Sequence, residues 1–148
     1  MRRTIGKLRS GVRHTIQDVR ARLTRVEVPE LIILGNQKSG TSAIAGLMGL
    51  AADKATLIDF RRELRRPTYD GVYRGERSFD QFIQTNSLDF RNHQIIKDPN
   101  LTYMYEAIRL RFPHIPLVAV VREPFDNIRS LLDRHGLPGT FAGFPDDV

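Results

Sequence analysis

The sequence predicts an α/β domain, a parallel sheet with helices on its faces, and three observations carry that prediction. Apolar runs of strand length alternate along the chain with segments whose apolar residues recur every three or four positions, the alternation that builds a parallel sheet. The best runs, Leu31-Ile32-Ile33-Leu34 and Leu117-Val118-Ala119-Val120-Val121, are continuous rather than alternating, as expected of strands covered on both sides. Between the first run and the first helical segment lies the turn Gly35 to Gly40, placed where a strand hands over to a helix N-terminus.

The elements follow in order. In residues 1–25, Ile5, Leu8, Val12, Ile16, Val19 and Leu23 fall on one face of a basic amphipathic helix. That arm admits two readings: peripheral contact with an anionic membrane surface or an acidic partner, or packing on its own domain. Residues 26–148 form the domain proper. After the strand at Leu31 to Leu34, a helix starts near Gly40, with Ile44, Leu47, Met48 and Ala51 as its apolar stripe and Ala43, Ala45 and Gly46 permitting close approach on the other side. Thr56 to Phe60 reads as a second strand and Arg61 to Arg77 as an irregular loop. Ser78 caps a short helix to Gln84, and Gln94-Ile95-Ile96-Lys97 is a third strand. Beyond Pro99, the positions Leu101, Met104, Tyr105, Ile108 and Phe112 are helical until Pro113 and Pro116 end the run. Leu117 to Val121 is the best strand, and Pro124 opens a helix carrying Phe125, Ile128 and Leu132. The tail from Gly136 to Val148 has turn character.

Composition narrows the classes of function. A chain of 148 residues, 41% apolar, is the size of one domain. The absence of cysteine excludes disulfides, thiolate metal sites and a cysteine nucleophile, which fits the cytoplasm as the expected location. No apolar run approaches the roughly 20 residues of a membrane span. Of the formal net charge of +6, the first 25 residues, with eight basic side chains against Asp18, contribute +7, leaving −1 for residues 26–148. The high pI therefore belongs to the arm, and nucleic acid binding is not expected of the domain.

The turn Gly35-Asn36-Gln37-Lys38-Ser39-Gly40-Thr41-Ser42 can surround an anion with backbone N–H groups. Its two glycines and following hydroxyls match the skeleton of a Walker loop, which makes the fold expected here a three-layer P-loop type. Thr41, however, stands where that loop needs its lysine, and the cation has moved to Lys38. At the crest of the loop, Lys38 suits a reaction in which negative charge grows on a single leaving phosphate. No strand ends in an aspartate suited to Mg²⁺, so no metal is expected and a kinase-like phosphotransferase is the lesser alternative. A second anion site is expected at Arg122, directly after the best strand, where ligands of open α/β sheets sit and a guanidinium can fork onto phosphate. Ser130 lies about 12 Å further along the helix, so the two can share an anion only beside that helix. The alternative is that Arg122 pairs with Glu123 or Asp126 and Ser130 is an ordinary helix residue.

These residues resemble the sulfotransferases that use 3′-phosphoadenosine 5′-phosphosulfate (PAPS). Gln37-Lys38-Ser39-Gly40-Thr41-Ser42 is similar to their 5′-phosphosulfate loop, and Val121-Arg122-Glu123-Pro124-Phe125-Asp126 through Ser130 to their 3′-phosphate motif. Lys97-Asp98-Pro99 and Phe112-Pro113-His114 resemble the intervening stretch of tyrosylprotein and related bacterial sulfotransferases. The order and spacing agree over residues 30–135. The resemblance implies transfer of a sulfuryl group from PAPS to an acceptor hydroxyl or amine without metal. Lys38 would be the catalytic cation, Gln37 to Ser42 the binders of the 5′-phosphate, and Arg122 and Ser130 those of the 3′-phosphate.

Two departures from the family pattern bear on activity. Several sugar sulfotransferases place a glutamate before the lysine of the middle motif, and this chain has Ile96 there. The base is thus open among Asp59, Glu63, His93 and Asp98. The family also continues beyond this length, so the chain is expected to be its N-terminal part, incomplete at the C-terminus, and a non-catalytic nucleotide-binding module is the alternative to an enzyme. The acceptor is not read from the sequence; Arg61, Arg62, Arg65, Arg66, Tyr69 and Tyr73 fit an acidic acceptor and a solvated loop equally.

Overall fold

Leu31-Ile32-Ile33-Leu34 offers no polar side chain to solvent, and it forms β1 (Leu31–Leu34) inside a four-stranded sheet, with Ile32, Ile33 and Leu34 buried. A computed structural model describes residues 28–137 of the chain. The other strands are β2 (Thr56–Ile58), β3 (Ile95–Lys97) and β4 (Leu117–Ala119), all parallel, in the order β2-β3-β1-β4. The arm over 1–25, and the tail beyond Leu137, lie outside the described residues.

Because side chains alternate across a strand, each strand feeds two cores. Ile32 and Leu34 of β1 join Leu57 and Ile96 in the larger one. It is filled by residues of α2 (Tyr69–Tyr73), α3 (Phe79–Thr85), α4 (Ser87–Asn92) and α5 (Tyr105–Arg111), and of the 3-10 helix Pro99–Met104. Phe60 sits among them with ring centroids 5.3 Å from both Phe82 and Phe90. On the opposite face Ile33 and Ile95 meet Ala45 of α1 (Thr41–Ala52). Helices therefore lie on both faces of an all-parallel sheet, the expected α/β class.

Several local expectations are corrected. Most of the apolar stripe of α1 does not face the sheet: Ile44, Leu47 and Ala51 are exposed and only Met48 packs against the core, while the buried face is Thr41, Ala45 and Gly49. The sheet selects the small side because the approach is too close for a larger one; a Cβ on Gly49 would lie 2.0 Å from Thr56 Oγ1. The stretch 61–77 is not wholly irregular, since it contains α2, and α4 was not foreseen. Residues 99–104 form a 3-10 helix before α5 begins at Tyr105. The run 117–121 shortens to β4, which among the described residues has only β1 as neighbour and is half-exposed, with Val121 outside the strand and open to solvent. Ser78 caps α3 as expected, in a reciprocal capping box with Gln81. No helix of the described residues is long and apolar enough to cross a membrane.

The strand order positions the site. From β1 the chain moves to β2 and back to β3 on one side, then crosses to β4 on the other. The order thus reverses between β1 and β4, and the crevice beyond their carboxyl ends is where open α/β sheets bind ligands. Both candidate phosphate motifs leave the sheet at that point.

Candidate functional site

Gly35 opens the loop after β1 with φ 147, and no other residue fits there: a Cβ would lie 2.6 Å from the Val120 carbonyl. Its N–H donates to Thr102 Oγ1 at 2.8 Å, which ties the loop to the 3-10 helix. Lys38 takes a left-handed conformation, φ 63, followed two residues later by Gly40 at φ 91. Alternation of left- and right-handed residues turns successive N–H groups towards one side, the arrangement of an anion nest. α1 begins at the next residue with no side-chain cap, so its first N–H groups have no intrahelical acceptor and the positive end of the helix dipole points at the loop.

The second motif docks directly on the first. Arg122 Nη1 donates to the Lys38 carbonyl at 3.0 Å, and Asn127 Nδ2 to the Gln37 carbonyl at 2.7 Å. Asn127 lies on α6 (Pro124–His135), which is capped by Glu123 accepting from the Asp126 N–H at 2.7 Å. Arg122 therefore bonds to the loop, and Glu123 is engaged with its own helix. A cleft of about 720 Å³ is lined by Gln37, Lys38, Gly40, Thr41 and Ser42 from the loop and the start of α1, by Arg122 just beyond β4, and by Ser130 of α6. Ser130 and Arg122 so share one concavity beside the helix, as their separation required.

Ser39 is the exception among the expected residues. Its hydroxyl and its N–H both go to the Asn36 carbonyl, at 2.6 Å and 3.2 Å, and its side chain does not line the cleft. It shapes the turn.

The four base candidates separate by position and by hydrogen bonding. His93 precedes β3, at the amino end of the sheet, remote from the carboxyl ends where the loop stands; its Nδ1 lies 2.8 Å from the Asp89 carbonyl. Asp98 is buried, and its carboxylate accepts from the Phe60 N–H, the Tyr69 hydroxyl, and the N–H and amide of Asn100. Glu63 is buried and accepts from the Thr68 N–H and hydroxyl and from Asn86 Nδ2. Both carboxylates hold the connections between elements. Asp59, at the end of β2 with φ 65, lines the cleft and keeps 34% of its side chain exposed while its Oδ1 accepts from Lys97 Nζ at 2.9 Å. Ile96, the residue before Lys97, is a fully buried core residue.

Two charged cleft residues were not foreseen as site residues. Lys97 ends β3, buried, with only its ammonium reaching Asp59 and the cleft. Arg134 lines the cleft from α6; it stands four residues after Ser130, and that helical spacing is the signal that would have found it. Burial beside the Asp98 carboxylate pushes the Tyr69 hydroxyl well above its ordinary value, so the proton it donates to Asp98 stays in place.

Compared with family models, with curated proteins and with solved structures, the chain gives no match.

Proposed function

We propose that this domain binds PAPS and transfers its sulfuryl group to an acceptor hydroxyl or amine. The observation that carries the reading is one cleft in which a nest with a crest lysine and no Walker lysine faces Arg122, Ser130 and Arg134. Two groups of anion donors on a cleft of about 720 Å³ suit a nucleotide with phosphates at both ends, since ligand pockets run from about 300 to 1,000 Å³. The residues present fit the cofactor. The loop amides with Lys38, Thr41 and Ser42 would hold the 5′-phosphate, and Arg122, Ser130 and Arg134 the 3′-phosphate.

When bound, PAPS supplies an activated sulfuryl group whose departure leaves a phosphate. Lys38, held at the crest of the loop, is placed to balance charge developing there. Asp59 is the base of this reading, because Glu63 and Asp98 are committed to internal donors and His93 is at the wrong end of the sheet. Lys97 orients its carboxylate through Oδ1.

The test is calorimetric titration of 3′-phosphoadenosine 5′-phosphate against ATP with Mg²⁺, followed by sulfate transfer from PAPS to a mixed acceptor panel. Tighter binding of the 3′,5′-bisphosphate together with transfer supports the reading. Preference for ATP with Mg²⁺ sinks it, and binding without transfer leaves the non-catalytic module.

A further inference from the structure

Three of the chain's four tyrosines, Tyr73, Tyr103 and Tyr105, line one cleft of about 780 Å³, and the fourth, Tyr69, is buried and borders the phosphate cleft instead. The core of the domain is built from phenylalanine: Phe60, Phe79, Phe82, Phe90 and Phe112 are all buried. The tyrosines of the cleft are instead 43%, 69% and 48% exposed. Aromatic rings with a polar tip are thus gathered on a surface, where a packed interior gains little from them.

This cleft and the phosphate cleft share a wall. Pro99 and Asn100 line the phosphate side, and Tyr103 and Met104 the other, along one 3-10 helix. Residues three apart eclipse in such a helix at a rise of about 6 Å, so Asn100 and Tyr103 stand on one edge. The Tyr73 hydroxyl completes the junction by donating to the Asn100 carbonyl at 3.1 Å.

The rings and charges decide what would lie there. Tyr73 and Tyr103 meet at 78° with centroids 6.1 Å apart, forming an aromatic corner rather than a slot for a flat aromatic guest. Arg109 covers the Tyr105 ring at 5.9 Å and does not line the cleft. Among the described residues its one charged lining residue is Glu106, which would repel an acidic chain. Half-exposed aromatic rings, the hydroxyl tips of Tyr103 and Tyr105 and a single carboxylate at the cleft match a ring with apolar C–H faces and neutral hydroxyls. We infer that the cleft of Tyr73, Tyr103 and Tyr105 is the acceptor site, and that it takes a neutral saccharide whose hydroxyl is led past Asn100 towards Lys38. This rests on the transfer reading for its role, but not for its binding chemistry.

The experiment labels the full chain with fluorotyrosine and follows its four fluorine resonances, assigned by single Tyr→Phe variants. The probes are the neutral trimer of N-acetylglucosamine, a heparin hexasaccharide and naphthol. The neutral trimer should shift the resonances of Tyr73, Tyr103 and Tyr105 saturably in the millimolar range and leave Tyr69 in place. Tyr103→Ala, at an exposed position, should weaken that binding by about tenfold and Tyr103→Phe by much less. No shift with the trimer, a stronger response to heparin, or a response to naphthol alone overturns the inference, and the wild-type titration decides this even if Tyr103→Ala fails to fold. Titration with 3′-phosphoadenosine 5′-phosphate is scored separately, so failure of the cofactor reading is distinguishable from failure of the saccharide site.

Discussion

Arg122, just beyond β4, donates to the main-chain carbonyl of Lys38 at 3.0 Å across 84 residues of sequence. The residue expected at the 3′-phosphate therefore also steadies the crest of the 5′ loop. Arg122→Ala should cost about 1.5–3 kcal/mol of affinity for 3′-phosphoadenosine 5′-phosphate. A smaller loss should appear for adenosine 5′-phosphosulfate, because the loop loses its strut. Lysine should restore only part, since it cannot fork. Calorimetry with both ligands checks this; equal losses would confine Arg122 to organising the loop.

Lys38 occupies a backbone conformation that favours glycine, so its presence there opposes local preference. In Lys38→Gly, relief of about 1–2 kcal/mol of left-handed strain should offset the added freedom of the unfolded chain, about 0.5–1 kcal/mol. Stability should stay level while sulfuryl transfer falls by about two orders of magnitude or more. Lys38→Ala should lose transfer equally and be the less stable of the two. Denaturant melts and single-turnover assays read the two quantities apart.

The carboxylates of the cleft should divide into a working one and supporting ones. Asp59→Asn keeps a residue that tolerates the left-handed backbone and should fold, bind nucleotide within a few-fold of wild type, and lose about 10²–10⁴ in transfer rate. Asp98→Ala would strand the Phe60 N–H, the Tyr69 hydroxyl and the Asn100 donors inside the protein. It should cost about 3 kcal/mol or more of stability. An unfolded Asp59→Asn with a stable Asp98→Ala would reverse the assignment.

Alkali should expose the tyrosine wall. Burial and the nearby Asp98 carboxylate raise Tyr69 well above its ordinary value and push Tyr73 up to about 12. Both groups hold their protons more tightly folded than unfolded, so the stability they contribute is complete below the unfolded value of 10.0 and declines as pH climbs from there towards 12. Tyr69→Phe loses the bond to Asp98, about 1 kcal/mol at neutral pH, and its deficit relative to wild type should narrow as pH rises above that value. Urea melts across that range measure the slope.

β1, the capped helix α3 and the loop were legible because each is specified by adjacent residues: an apolar run, a cap with its reciprocal glutamine, glycines at fixed spacing. α2 and α4 were not, being only 5 and 6 residues long and held by tertiary contacts, notably Glu63 bridging Thr68 and Asn86. The outward stripe of α1 misled because periodicity marks a face but does not say that the sheet takes the small side. That Lys38, Arg122 and Ser130 line one candidate cleft was readable from their places after β1 and β4. The Lys97–Asp59 pair joins two strand ends 38 residues apart, and no local pattern announces it.

Gly49 lines neither cleft, yet its bare backbone is pressed against Thr56 at the start of β2. α1 is a rigid rod of 12 residues whose rear end is seated there and whose front end presents its amides to the loop. A methyl group at the rear would meet Thr56 Oγ1 first, so either that side chain or the rod itself would have to shift. The seating of α1 behind the candidate cleft thus depends on a contact that touches none of the cleft's lining residues.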